Sequence, residues 1–212
     1  MEQNPQGSAP LSASNNLVER VKSILITPQK EWQAINAEPA NSTGITMTYL
    51  LPLVLIGVVA AFVGYGLIGV NYGFGLKVKS MDLGIRMAIS WAVRGIAGVY
   101  ILAFIVDALA PNFGSQKNFG KSFQLAAYAS TPGLVAGMFL ILPSLAIIAL
   151  LAGIYSLYLL YIGLPVLKST AEDKKMNYFL VVLGVCILVN IILYVIQNEL
   201  ISTRPTITLG SL

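Results

Sequence analysis

Residues 123–167 read FQLAAYASTPGLVAGMFLILPSLAIIALLAGIYSLYLLYIGLPVL and contain no charged side chain. A helix needs roughly 20 apolar residues to cross the hydrocarbon core of a bilayer. The stretch therefore holds two spans, 123–142 and 145–167, separated only by Pro143 and Ser144. Such a short connection predicts a tight helical hairpin in the membrane, with no hydrophilic domain on that side.

Three further apolar stretches flank this hairpin in the sequence. The five predicted spans cover about 47–70, 84–110, 123–142, 145–167 and 176–197. Hydrophobic residues make up 56% of the 212 residues and charged residues 10%, against about 25% charged in a typical soluble domain. The mean hydropathy is +0.77, which excludes a water-soluble monomer. The predicted fold class is all-α: a polytopic membrane protein whose transmembrane domain covers 47–198.

The ends of the chain differ from this domain. Residues 1–16 are small and polar and predict a disordered tail, and 199–212 predict a short outer tail. Within 17–46, apolar residues recur at helical spacing and Thr27-Pro28 restarts a helix. Both helices are too short to span the membrane, so we expect amphipathic helices at the cytoplasmic interface, with Trp32 at the lipid headgroups. The alternative is two helices packed on each other in water.

Basic residues are distributed unequally between the two predicted sides of the membrane. The side of the N-terminal segment and the loops 111–122 and 168–175 has eight: Arg20, Lys22, Lys30, Lys117, Lys121, Lys168, Lys174 and Lys175. The opposite side has four: Lys77, Lys79, Arg86 and Arg204. The positive-inside rule then predicts a cytoplasmic N-terminus and an outer C-terminus.

Besides Arg86 at its outer end, the second predicted span contains two ionisable residues. Asp107 falls near its cytoplasmic end, within reach of Lys117 and Lys121; the alternative is an end-of-helix charge at the headgroups. Arg94 lies about 12 Å along the helix from Arg86, so it is deep in the membrane. An arginine there costs roughly 2.5–3.5 kcal/mol on insertion scales and requires acceptors or water.

Polar residues of three other predicted spans fall near the depth of Arg94. They are Asn190 in the fifth span, Ser130-Thr131 in the third, and Tyr155-Ser156 in the fourth. Pro132 also frees the carbonyl of Tyr128, a ready acceptor for a guanidinium. Three interpretations stay open: a polar centre that binds an anion, lipid headgroup or solute; a buried hydrogen-bonded packing contact; or an Arg94 that snorkels to the outer headgroups.

Other features favour a structural role. Gly133 and Gly137 form a GxxxG pair that allows close helix contact, and Pro165 interrupts the fourth span as Pro132 interrupts the third. There is no histidine and Cys186 is the single cysteine, so no metal site, catalytic constellation or cofactor is expected. No extended basic tract suggests binding to nucleic acid.

Five segments together resemble the Yip (Ypt-interacting protein) domain family in its bacterial form. They are TPQKEW (27–32) with EP (38–39), DALAP (107–111) with FG (113–114), FQLAAYASTP (123–132), GIYSLYLLYIGLPV (153–166) and EDKK (172–175). The resemblance covers about 17–198. It implies five spans, a cytoplasmic N-terminus and a short non-cytoplasmic C-terminus. Eukaryotic relatives are associated with Rab-type GTPases and Golgi traffic; bacterial members imply an inner-membrane protein of unsettled activity.

The sequence thus predicts a non-enzymatic membrane protein that organises the membrane or binds a partner. The expected partners are the lipid bilayer and its anionic lipids, with a cytoplasmic protein and a second copy of the chain as further candidates. The alternative is a channel or transporter for a small ion or solute. It would use the polar cluster around Arg94, and an oligomer could supply the pore.

Overall fold

The computed structural model describes residues 16–71, 77–142 and 145–201. Within these ranges it contains seven helices, a short 3₁₀ helix (Ala110–Phe113) that follows the fourth of them, and one pair of two-residue strands. In chain order they are α1 (Leu17–Ile26), α2 (Pro28–Ala37), α3 (Ser42–Ile68), β1 (Val70–Asn71), β2 (Lys77–Val78), α4 (Met81–Leu109), α5 (Phe119–Ile141), α6 (Ala146–Lys168) and α7 (Glu172–Ile201). The predicted tails lie outside the described residues, except Asn16 and 199–201.

The five predicted spans are confirmed as helices long and apolar enough to cross a membrane. Among the described residues these are Ser42–Ile68, Met81–Phe113, Phe119–Ile141, Ile147–Lys168 and Glu172–Ile192. They begin or end up to five residues from the predicted limits. Two of the helices begin earlier than predicted because a capping side chain starts the helix ahead of its apolar run. These caps are Asn41 before α3 and Asn118 before α5.

Helix α5 occupies the centre of the bundle. Of its most apolar 18 residues, 61% are buried by the protein, against 11% for α7. It packs against α3, α4 and α6, whereas α7 contacts mainly α4 and α6. The outer faces of α3, α4, α6 and α7 expose many large apolar side chains, as a bundle surrounded by lipid requires.

Two of the spans are irregular. α5 breaks at Ser130, where Thr131–Ala136 begins a new helical segment with Pro132 in its first turn, and Gly137–Ile141 is a 3₁₀ turn. α3 contains two wider π-helical segments, Thr46–Leu50 and Phe62–Ile68. Close approach of glycines fixes the α3–α4 contact: a Cβ on Gly84 would stand 2.6 Å from the Gly66 Cα.

The N-terminal helices form a hairpin, α1–α2, that packs along α5 and α6. Trp32 is 0% exposed and lies against Gly163 of α6, where a Cβ would approach its ring to 2.8 Å. The Trp32 ring therefore packs inside the protein and does not lie among the lipid headgroups, contrary to the prediction from the sequence. Ile24 and Ile35 are buried with it, because the apolar stripe of each short helix faces the bundle.

Candidate functional site

The first polar cluster joins α1–α2 to the bundle through Arg20. Arg20 and Ile24 are one turn apart on α1, and both face inward. The Arg20 guanidinium donates hydrogen bonds to Glu31 and Glu38, which lie seven residues apart on the same side of α2 and at its end. Arg20 is only 5% exposed, so these two carboxylates surround a buried charge.

Two aromatic rings, Tyr128 and Tyr49, pack beside the Arg20 guanidinium. The Arg20 Cζ is 5.5 Å from the ring centroid of Tyr128, and Tyr49 meets that ring edge-on at 4.8 Å. Burial opposes the charge of Arg20, but the hydrogen bond that Arg20 donates to Glu38 and the charges of both glutamates outweigh it. The pKa of Arg20 consequently lies above its ordinary value, and the guanidinium stays charged.

The predicted residues Tyr128 and Thr131 belong to this cluster, whereas Tyr155 contacts α1 separately. The carbonyl that Pro132 frees on Tyr128 accepts a hydrogen bond from the Thr131 hydroxyl at 2.7 Å, and it was expected to meet Arg94 instead. The Thr131 hydroxyl, three residues from Tyr128 in the same helix, forms this hydrogen bond. Thr131 also shares a hydrogen bond of 2.6 Å with the Tyr49 hydroxyl. Tyr155 donates to the carbonyl of Leu25 in α1, at 2.7 Å.

The second polar cluster surrounds Asp107. One carboxylate oxygen of Asp107 accepts hydrogen bonds from Lys168 Nζ at 3.1 Å, Ser122 Oγ at 3.1 Å and the Asn118 amide at 2.8 Å. Lys168 also donates to Ser122, and it is fully buried. The expected pairing with Lys117 or Lys121 is wrong, because the end of α6 brings Lys168 closer. Lys121 donates instead to the carbonyls of Asn36 and Glu38.

The Asp107 cluster and the end of α2 lie at one end of the bundle. Lys121 ties the start of α5 to the end of α2, and the Gln116 amide bonds to the carbonyl of Lys168. Ser115 and Thr170 share a hydrogen bond of 2.8 Å. The three segments that the basic-residue count assigns to one side of the membrane therefore touch one another.

A third region surrounds Arg94, halfway along α4. Arg94 and Asn190 line the same cavity of about 230 Å³, together with Ser130 and Ser156. The structure thus brings together one member from each of α4, α5, α6 and α7, as the depth arithmetic predicts. Asn190 donates to the carbonyl of Cys186 at 2.8 Å, and Cys186 lines the cavity too. Tyr128, Thr131 and Tyr155 are not among the described lining residues.

The predicted packing residues occupy helix contacts. The Gly133 amide donates to Ser156 Oγ at 3.3 Å, so α5 lies close to α6 there. A Cβ on Gly137 would stand 2.3 Å from the ring of Trp91, and one on Gly57 would stand 2.0 Å from it. These glycines make room for an indole between α3, α4 and α5. Pro165 lies inside α6.

The described residues contain no group of three acidic, cysteine or histidine side chains that could hold a metal ion. Among these residues, Asp107 pairs with Lys168, and Glu31 and Glu38 pair with Arg20.

The model of the Yip1 domain family matches residues 22–196 of the chain, which is most of its length. The chain belongs to the Yip1 domain family. Inner membrane protein YohC of Escherichia coli strain K12 is 26% identical over 166 residues, covering 76% of this chain and 85% of that protein. YohC of E. coli O6:H1 gives the same values. No solved structure matches the chain.

The Yip1-domain match includes Glu31, Glu38, Asp107 and Lys168, whereas Arg20 lies just before it. The Arg20 cluster is not predicted from the sequence, because a basic residue in a short amphipathic helix ordinarily faces water. Two features of the sequence do indicate the cluster. Arg20 lies one turn from Ile24, and Glu31 and Glu38 follow with a spacing of seven residues.

Proposed function

We propose that this Yip1-domain protein is a non-catalytic scaffold of the inner membrane that organises anionic lipid around its N-terminal hairpin. One observation carries the proposal: the hairpin is fixed to the bundle and presents an exposed stripe outward. Val18, Lys22 and Ile26 follow each other at four-residue spacing on α1 and all three are exposed, Val18 at 70% and Ile26 at 64%.

This stripe has the chemistry of a membrane contact. Apolar side chains on either side of a lysine favour the boundary between acyl chains and headgroups, and the lysine favours anionic lipid. Lys30, exposed at the start of α2, adds a second positive charge next to the stripe. The buried ion pairs of Arg20 hold the stripe in place without using either lysine.

The orientation is part of the proposal. The hairpin and the loops beside it carry eight of the twelve basic residues counted above, and these segments meet at one end of the bundle. The positive-inside rule then places this end, with the N-terminus, in the cytoplasm and the C-terminus outside. The inner-membrane location of the homologue YohC supports the same membrane for this chain.

Energy transfer to labelled lipids tests the scaffold. In a Trp91→Phe background, Trp32 is the donor in vesicles with a fluorescent anionic lipid or a neutral lipid of equal chains. We expect greater transfer to the anionic lipid, and Lys22→Glu with Lys30→Glu should abolish the difference. Lys174→Glu, the matched control at the same end of the bundle, should leave it unchanged. Equal transfer to both lipids by the parent would contradict lipid organisation and favour a protein partner.

A transporter is the second candidate, because the cavity brings Arg94, Asn190, Ser130 and Ser156 together. Ion and solute flux in proteoliposomes distinguishes the two functions. The scaffold predicts flux at the level of empty vesicles. Flux above that level, abolished by Arg94→Ala, would overturn it in favour of transport.

A further inference from the structure

The cavity beside Arg94 has an amphipathic lining. Arg94 carries the only charge among the described residues that line it, and Asn190, Ser130 and Ser156 add polar atoms. Most of the other lining residues are apolar, including Val93, Ile101 and Leu160. A largely apolar wall with a few placed polar groups is typical of a site that orients an amphipathic ligand.

A wider groove continues the cavity along α7. This groove, of about 540 Å³, shares Arg94, Asn190, Leu157, Leu183 and Cys186 with the cavity. It extends to Ile187 and Ile191, which are exposed on the outer face of α7. The site therefore opens sideways, at the depth of the membrane-spanning helices, onto a surface that faces acyl chains.

We propose that the Arg94 cavity and its groove bind one anionic phospholipid. The lipid phosphate pairs with the Arg94 guanidinium, a charge-assisted contact suited to phosphate. Asn190, one of whose two amide hydrogens bonds to the Cys186 carbonyl, stands beside it. An acyl chain lies along Leu157, Leu183 and Ile187. This occupant fits both parts of the site, whereas a free anion would leave the apolar groove unused.

The depth of Arg94 is compatible with a headgroup contact. It lies about 12 Å along α4 from Arg86, and the long arginine side chain extends part of that distance. Bilayers thin locally and headgroups descend next to an embedded arginine. The proposal is independent of the proposed function, because the described lining residues include none from α1 or α2.

A cavity-filling variant offers a test that does not remove the charge. Gly98 lines the cavity, and a Cβ placed there meets no atom within 4 Å. Gly98→Leu therefore fills the space with a better helix former and should preserve folding. Gly153→Leu is the matched control, because Gly153 is equally open but is not among the described lining residues. Arg94→Gln removes the charge, and Arg86→Gln makes the same change at the exposed end of α4.

The experiment measures lipid retained by the detergent-purified protein, by native mass spectrometry, after incubation with anionic or neutral phospholipid of equal chains. We expect one anionic lipid per chain. Retention should fall about tenfold or more in Arg94→Gln, the scale of a lost charged hydrogen bond, and similarly in Gly98→Leu. Arg86→Gln and Gly153→Leu should retain the lipid at the parent level.

Three results would overturn the proposal. Equal retention of neutral lipid would show a purely apolar groove. Unchanged retention in Gly98→Leu would place the lipid elsewhere. Inorganic phosphate that raises the melting temperature of the parent as much as anionic lipid does, and does so through Arg94, would show an ion site without a lipid chain.

Discussion

At the scale of single residues, the charge of Arg20 explains why two short helices stay on the bundle. A charge taken out of water is tolerated only with well-placed partners, and Glu31 and Glu38 supply them. The Tyr128 ring adds a cation–π contact from α5. The cluster thus links α1, α2 and α5 at one point.

Replacing Arg20 by alanine should destabilise the protein. The change leaves two largely buried carboxylates without their cation, for which about 3–5 kcal/mol is typical. We expect a clear fall in the melting temperature in detergent, measured by circular dichroism. Glu19→Gln, on the exposed side of the same helix turn, should have little effect. A melting temperature unchanged in Arg20→Ala would show that the cluster does not stabilise the fold.

Sequence reasoning located individual polar residues better than it identified their partners. Depth along a helix follows from counting, so Arg94 and Asn190 are correctly placed at one level. Partners depend on helix rotation and on which ends meet, which a single sequence does not specify. Asp107 therefore bonds to Lys168, and Tyr128 offers its carbonyl to Thr131 instead of Arg94.

At the scale of elements, the break in α5 is stabilised by side-chain hydrogen bonds. Pro132 has no amide hydrogen, so the carbonyl one turn earlier loses its helical donor. The Thr131 hydroxyl replaces that donor and also bonds to Tyr49 of α3. Thr131 thus satisfies the free carbonyl of α5 and connects α5 to α3.

The substitution Thr131→Val should lower the free energy of unfolding. The variant keeps the side-chain shape but leaves the Tyr128 carbonyl and the Tyr49 hydroxyl without Thr131, for which about 1–3 kcal/mol is expected. Thermal unfolding in detergent measures the loss. Thr48→Val is the control, because the Thr48 hydroxyl bonds to a carbonyl of its own helix on an exposed face. Equal stability of the two variants would show that the buried hydroxyl is dispensable.

The sequence predicts the spanning elements well and the placement of the short helices less well. Hydrocarbon requires long apolar helices, so the five spans are visible in composition alone. The apolar stripes of α1 and α2 are also visible, but a stripe can cover protein or lipid. The space for Trp32 is created by Gly163, far along the chain, and by the rotation of α6.

At the scale of the whole molecule, the proposed orientation can be measured with cysteine labels. In a Cys186→Ser background, Lys117→Cys, just before α5, and Asp173→Cys, in the first turn of α7, are both at exposed positions and should react with an impermeant reagent only from the cytoplasm. Lys79→Cys, also exposed, should react only from outside. Labelling in the opposite sense would reverse the orientation.

The N-terminal hairpin is, in our interpretation, a fixed part of the membrane bundle. Quenching of Trp32 fluorescence, in a Trp91→Phe variant reconstituted in vesicles, tests it most directly. Because Trp32 is buried against Gly163, we expect weak quenching by aqueous acrylamide and by brominated lipids alike. Gly163→Leu, which should expel the ring, provides the exposed reference. Strong quenching by brominated lipids before that substitution would show a hairpin lying in the lipid interface and would contradict the account.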